Sequence, residues 1–255
     1  FPLWNEEHDS PSDPAPYGVM GWEKENENIM VYDRYDIWRV NLNNLDTTQI
    51  TYGRKSKTRY RYIKTDREEI GIVSKVRLLK IFNENDKSEG LTEWWINTNK
   101  KNKIVTSNSE KNHIDNILKS KYNQVIIFTK ETYKSSSDLF SNANSGFASY
   151  SGGYEQYDTR LSSINPQQKD YNWGTAELYK WKAFNGKMSE GILYKPENFD
   201  PNKKYPMIMY FYETHSETLN SYVPPTPTGS RLNISFFVSR GYVVFSPDIH
   251  YTIGY

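Results

Sequence analysis

From Tyr205 onward the pattern of the chain changes, and that change limits the fold more than any other feature. Met207-Ile208-Met209-Tyr210-Phe211-Tyr212 is a near-continuous apolar run, as in a strand buried on both faces. Tyr242-Val243-Val244-Phe245-Ser246 is a second such run. Between them a polar, proline-rich loop spans Glu213 to Gly229, and Arg231 to Arg240 has helical spacing, with Leu232, Phe236 and Ser239 on one face. Gly241 is placed to end that helix. Strand, crossover helix and strand in this order predict a parallel pair.

The first 165 or so residues contain nothing of this kind. They carry short β-favouring runs at Ile29 to Tyr32, Ile37 to Val40, Ile70 to Val73, Val76 to Phe82, Val125 to Thr129 and Asp138 to Phe140. One stretch, Asn112 to Ser120, places Ile114, Ile117 and Leu118 at i, i+3 and i+4 and predicts a short helix with the exposed His113 near its start. The strand runs repeat: units open at Ile29, Ile70 and Val125, 41 and 55 residues apart. The first and third close on an Asp followed by an apolar and an aromatic residue, Asp36-Ile37-Trp38 and Asp138-Leu139-Phe140. A period of ~40–50 residues with about four strands per unit is that of a propeller blade, with a β-sandwich as the alternative. As a propeller the region amounts to about three blades, too few to close a ring.

Between the two patterns lies a Ser/Gly/Asn-rich passage, Ser141 to Gln168, with loop chemistry. It is followed by a hairpin signal, Glu177 to Phe184, then Asn185-Gly186, then Lys187 to Tyr194. Asn-Gly predicts a type I′ turn, whose two central residues both need positive φ.

Composition removes several classes of function. The chain has 255 residues with 32 basic and 31 acidic side chains, and this balance argues against a nucleic-acid partner. The absence of cysteine excludes disulfides, thiolate zinc sites and cysteine nucleophiles. No run approaches the ~18 apolar residues of a membrane span, and Phe1-Pro2-Leu3-Trp4 lacks the basic head and apolar block of a signal peptide. No phosphate-binding glycine loop is present. Trp94-Trp95 and the other tryptophans read as packing in a β-rich chain rather than sugar-stacking surfaces.

Asn165-Pro166-Gln167, Tyr171-Asn172-Trp173-Gly174, Glu177-Leu178, Gly191 to Pro196, Tyr205-Pro206 and Gly241 to Val244 stand in a distinctive order. In these residues the chain resembles the prolyl oligopeptidase family of serine peptidases, and in particular its dipeptidyl-peptidase-IV-like bacterial members. Tyr32 to Trp38 and Leu78 to Glu84 resemble late propeller blades of those proteins. The resemblance implies partial all-β propeller blades over residues 1–165, followed over 166–255 by the first part of an α/β-hydrolase domain. It implies an active site in the cavity between them, a peptide substrate, no cofactor and no metal, a homodimer at full length, and a periplasmic or exported location.

An α/β-hydrolase needs a serine on a strained strand-to-helix turn, usually G-x-S-x-G, with Asp and then His following. The sequence lacks that elbow; Ala148 to Gly153 is a decoy with Tyr150 at the nucleophile position. The resemblance puts the whole triad downstream of this stretch, so the 255 residues alone are expected to be inactive. One catalytic element is expected within it. The resemblance assigns an oxyanion donor to the tyrosine at the end of the strand that begins Tyr205-Pro206, which is Tyr212. Glu213, His215 and His250 are candidates for lining the substrate cavity; Glu213 with His215 supplies two ligands without a third, which is weak for zinc. Asp248 invites a triad label, yet no serine is placed to use it. The competing readings are a non-catalytic propeller-based binding module and an inactivated peptidase homologue.

Overall fold

The computed structural model describes every residue except 24–26, 67, 73–75, 96–102, 107–110, 124, 144–157, 228 and 252–255. The described residues form four sheets of four strands, none closed on itself, one short α-helix and three short 3-10 helices. The first sheet holds β1 (Val19–Trp22), β2 (Asn28–Tyr32), β3 (Ile37–Asn41) and β4 (Thr47–Gln49). The second holds β5 (Thr58–Tyr62), β6 (Val76–Asn83), β7 (Glu89–Trp95) and β8 (Lys103–Thr106). The third holds β9 (His113–Lys119), β10 (Val125–Thr132), β11 (Ser135–Ala143) and β12 (Thr159–Arg160). All three are antiparallel meanders in which strands pair in chain order.

Their second strands begin at Asn28, Val76 and Val125, 48 and 49 residues apart. This corrects the repeat proposed from sequence, which opened its second unit at Ile70. That residue is 92% exposed and lies outside any strand, while Ile72 beside it is buried in the core and makes a lone bridge to Glu23. An apolar run marks a strand only where a neighbouring strand pairs with it, and β6 is where that pairing occurs.

The recurring Asp has a structural cause. Asp36 just before β3 accepts from the Thr51 hydroxyl (2.8 Å) and the Gly53 N–H (2.5 Å), while the Ile37 N–H donates to Thr51 Oγ1 (3.0 Å). Asp138 in β11 repeats the set: it accepts from the Ser162 hydroxyl (2.8 Å) and the Ile164 N–H (2.7 Å), and the Leu139 N–H donates to Ser162 Oγ (2.8 Å). Each buried carboxylate thereby fastens the chain leaving the fourth strand to the third. In the second sheet Glu89, at the start of β7, takes this place. Its Oε2 accepts the Ile114 N–H (2.6 Å) and pairs with Lys80 (3.0 Å) and His113 (3.1 Å).

Successive meanders pack on each other. Met30, Tyr32 and Ile37 of the first meet Leu79 and Trp94 of the second, and Leu78 and Leu91 meet Ile114, Ile126 and Phe128 of the third. Burying each such side chain contributes roughly 1.5–3 kcal/mol.

The segment Asn112 to Ser120 is a strand, β9, and not the expected helix. Asn116 adopts φ 52°, and the register with β10 shifts between Ile127/Thr129, the signature of a β-bulge. The extra residue moves the pleat by one position, so Ile114 and Ile117 both face the core while Leu118 is 61% exposed. A three-residue apolar spacing was thus a bulged strand in disguise. His113, expected at the start of that helix and exposed, is a half-buried strand residue.

The fourth sheet is mixed. It contains β13 (Thr175–Lys182), β14 (Met188–Lys195), β15 (Met207–Met209) and β16 (Val243–Pro247), in the order β13-β14-β16-β15. The β13–β14 hairpin forms as expected, but its turn is not type I′. Only Gly186 has positive φ (81°), and the bonds Gly186 N–H to Ala183 O (2.9 Å) and Ala183 N–H to Lys187 O (2.8 Å) define a three-residue loop ending in a left-handed glycine. β15 and β16 are parallel, as strand–helix–strand predicts. The helix between them, α1 (Ile234–Val238), is shorter than the expected Arg231–Arg240 because Asn233 caps it, accepting the Phe236 N–H (3.1 Å). Gly241 (φ 86°) ends it, with Gly241 N–H to Val238 O and Tyr242 N–H to Phe237 O forming a Schellman pair. β15 is an edge strand whose Met207 and Met209 are more than half exposed, so the two-sided burial expected from its sequence is not realised within these residues.

Candidate functional site

Parallel strands bring their carboxyl ends together, and open α/β sheets place ligands there, where the strand order reverses. In the fourth sheet the carboxyl ends of its parallel pair are the ends of β15 and β16. The Tyr210 N–H still donates to Phe245 O (2.9 Å); the chain then turns at Tyr212 and Glu213, the latter at φ 52°. It is tied back to the end of β16 by three bonds: the Ile249 N–H donates to Glu213 O (2.8 Å), and Asp248 Oδ1 accepts the His215 N–H (2.6 Å) and the Ser216 N–H (2.8 Å). Asp248 is 6% exposed. Its carboxylate therefore holds a loop, which explains its presence without a triad.

Beside this loop lies a cavity of about 330 Å³ between the strand ends and the turns of the meander sheets. Glu190, Ser216, Asp248 and His250 line one side; Arg34, Glu84 and Lys87 line the other. Several of its charges are mutually engaged. Glu84 accepts two bonds from Arg34 (3.1 and 2.9 Å) and one from the Tyr35 hydroxyl (2.8 Å), and Arg34 also pairs with Glu7 (2.7 Å). Burial, reinforced by the bond to Glu84, pushes the Tyr35 phenol well up and keeps it a donor. Arg59 reaches across to Glu217 (2.6 Å). Burial alone would raise the Glu190 carboxyl, but Lys87 and then Lys180 outweigh it and hold it below the usual range.

The expected site residues are distributed unevenly about this cavity. His250 lines it and is exposed. Tyr212, 73% exposed, and the exposed Glu213 next to it are not among its lining residues, although Thr214 just after them is. His215 is half-buried, its ring 5.6 Å from that of Tyr210 and its Nε2 buried without a hydrogen bond. The Ser216 hydroxyl is bonded to Glu190 Oε1 (3.2 Å), and no serine of the cavity is bonded to a histidine among the described residues. The decoy Ala148 to Gly153 lies outside the described residues. Sequence reasoning missed Arg34, Glu84, Lys87 and Glu190. They sit in ordinary turn and strand contexts, and only the packing of two distant segments gives them a cavity to line.

Two larger clefts, about 580 and 710 Å³, flank the connector Asn165 to Trp173. Two of their carboxylates have structural work: Asp138 ties the chain after β12 to β11, and Glu197 accepts the Gly174 (2.7 Å) and Trp173 (3.3 Å) N–H groups. Among the described residues no three His, Asp or Glu side chains are grouped to hold a metal ion, and no helix is long and apolar enough to cross a membrane.

No protein-family model and no curated protein matches the sequence. Solved structures do match the fold. Dipeptidyl peptidase 4 of Porphyromonas gingivalis is similar with a TM-score of 0.61 at 15% identity, over 92% of this chain and 33% of that one. A Bacteroides ovatus protein assigned as a dipeptidyl aminopeptidase IV gives 0.58 at 16%, over 96% and 34%. A post-proline cleaving enzyme from Rickettsia typhi gives 0.56 at 12%, over 93% and 33%. The chain thus spans about a third of the length of the structures it matches, and what it shares with them is a fold.

Proposed function

We propose that this chain is part of a serine peptidase of the prolyl oligopeptidase type, in which residues 1–165 are propeller blades and 166–255 open an α/β-hydrolase domain. The observation that carries the reading is the cavity itself: it lies at the carboxyl ends of the parallel pair β15/β16 and is walled by the turns of meander sheets. The fold likeness to peptidases supports it from a second direction. The substrate is a short peptide or an N-terminal dipeptide unit, the full-length protein a homodimer in the periplasm or exported, and the nucleophile lies outside these residues.

The chemistry is acyl transfer. The serine oxygen attacks the scissile carbonyl and the carbonyl oxygen becomes an oxyanion. Tyr212, just past the rigid end of β15, donates its phenolic hydrogen to that oxygen. Asp248 holds the loop that follows Tyr212 through two backbone N–H groups. Losing one oxyanion donor typically costs ~10²–10³ in rate. In the complete gene product, Tyr212→Phe therefore lowers kcat on a chromogenic dipeptide substrate at least about ten-fold with KM little changed. An unaltered kcat removes Tyr212 from the mechanism. Absence of any turnover by the complete protein turns the assignment to a binding module or an inactivated homologue.

A further inference from the structure

Lys87 occupies an improbable position. It sits in the turn between β6 and β7 at φ 62°, in the left-handed region that costs a non-glycine residue roughly 1 kcal/mol. Its side chain is only 4% exposed, which for lysine occurs almost solely with a partner. The partner is Glu190 of β14, whose Oε1 receives the ammonium in a short contact and also accepts the Ser216 hydroxyl (3.2 Å). Lys180 approaches the other oxygen (3.3 Å). The Lys87 carbonyl accepts Asn220 Nδ2 (2.8 Å), and Asn220 is itself buried. One turn residue of the second meander thus grips both ends of the segment 216–220: Ser216 through Glu190, and Asn220 directly.

Stability is a poor explanation for such an arrangement. Desolvating an ion pair often costs as much as the pair returns, and an apolar substitute of similar size usually serves as well. What a buried pair does supply is a fixed geometry. Ser216 is the residue whose N–H, with that of His215, rests on Asp248, four positions after Tyr212. We propose that Lys87 and Glu190 are positioning residues, which set the loop carrying Tyr212 against the meander sheets and so determine how the cavity meets that hydroxyl. The catalytic consequence rests on the peptidase reading; the mechanical one does not.

The test uses the complete gene product with Lys87→Met, Glu190→Gln, the double variant and Lys87→Arg. Amide hydrogen exchange over residues 213–220 is expected to speed up about ten-fold or more in the Met and Gln variants while β1–β4 stays within about two-fold. The double variant, which buries no unpaired charge, is expected to be folded and to exchange no faster than the worse single variant. It replaces Lys87→Met if that protein does not fold. Lys87→Arg should recover most of the protection. In activity, Lys87→Met lowers kcat about five-fold or more, with KM moved less than about two-fold. Unchanged exchange at 213–220 in the double variant overturns the positioning role. Faster exchange with no peptidase turnover in the parent protein leaves that role standing and removes the peptidase reading.

Discussion

The meander sheets and the mixed sheet solve the same problem, how to hold a fourth strand, by different means. In the first and third meanders a buried Asp before or within the third strand bonds the chain beyond the fourth, and each sheet is finished locally. In the mixed sheet the corresponding group is Asp248, just past β16, which accepts the His215 and Ser216 N–H groups beyond the edge strand β15. Here β14 and β16 approach so closely at Gly191 that a Cβ there would lie 2.6 Å from Pro247 Cα and Ser246 O. The sheet ends on an open edge with Met207 and Met209 exposed. The meanders share a fastening that recurs with the repeat; the mixed sheet adds a close backbone approach to its single carboxylate and has apolar surface exposed on β15.

The largest effect is expected where that proximity is broken. Gly191→Ala meets the β16 backbone at Ser246 and Pro247 and cannot be relieved by a rotamer change, so it should destabilise the mixed sheet by about 3 kcal/mol or more. Hydrogen exchange of β14 and β16 rising while β1–β4 stays protected would show it, and an unperturbed variant would contradict the register.

Asp36→Ala comes next. It strands the buried Thr51 hydroxyl and Gly53 N–H and should cost about 2–4 kcal/mol in denaturant unfolding. Asp138→Ala should cost less, about 1–2 kcal/mol, because its third partner, Arg160, is half exposed and β12 is short. Equal losses would mean that the two carboxylates do not act through burial.

The smallest effect distinguishes the middle meander from its neighbours. Burial alone would raise Glu89, but His113, Lys80 and the Ile114 N–H hold it low; the bond to Glu89 raises His113 against its own burial. Stability from a raised histidine is complete below its unfolded value near 6.5 and is lost as pH climbs through the raised value. Stability from the lowered Glu89 is present above about 4.3 and is lost as pH falls through the depressed value. The junction is therefore firmest at roughly pH 5–6.5 and should weaken by up to about 1 kcal/mol toward pH 9. His113→Gln should abolish that alkaline loss, visible as a flat melting temperature from pH 6 to 9. The partners of Asp36 include no histidine, so its junction gives no counterpart.

Much of this comparison was legible in the residues. Asp36-Ile37-Trp38 and Asp138-Leu139-Phe140 announced the repeat because the same three bonds need the same residues. The second meander read as opening at Ile70 instead of Val76 because Ile70 is apolar although it lies outside the sheet, and it showed no closing Asp because Glu89 stands there. β9 read as a helix because the bulge at Asn116 imitates helical spacing. The parallel pair and Gly241 were predictable from local rules. The cavity was not: Glu84, Lys87, Glu190 and Asp248 are brought together from turns and strand ends far apart in sequence, and no local pattern encodes that meeting.

The proposed chemistry turns on a serine outside these residues that reacts with Tyr212 as oxyanion donor. Treating the complete gene product with a serine-directed phosphonate and mapping the modified residue tests it most directly. The account predicts a single labelled serine beyond residue 255 and slower labelling in Tyr212→Phe. Label on a serine within residues 1–255, or none in an intact protein, would contradict it.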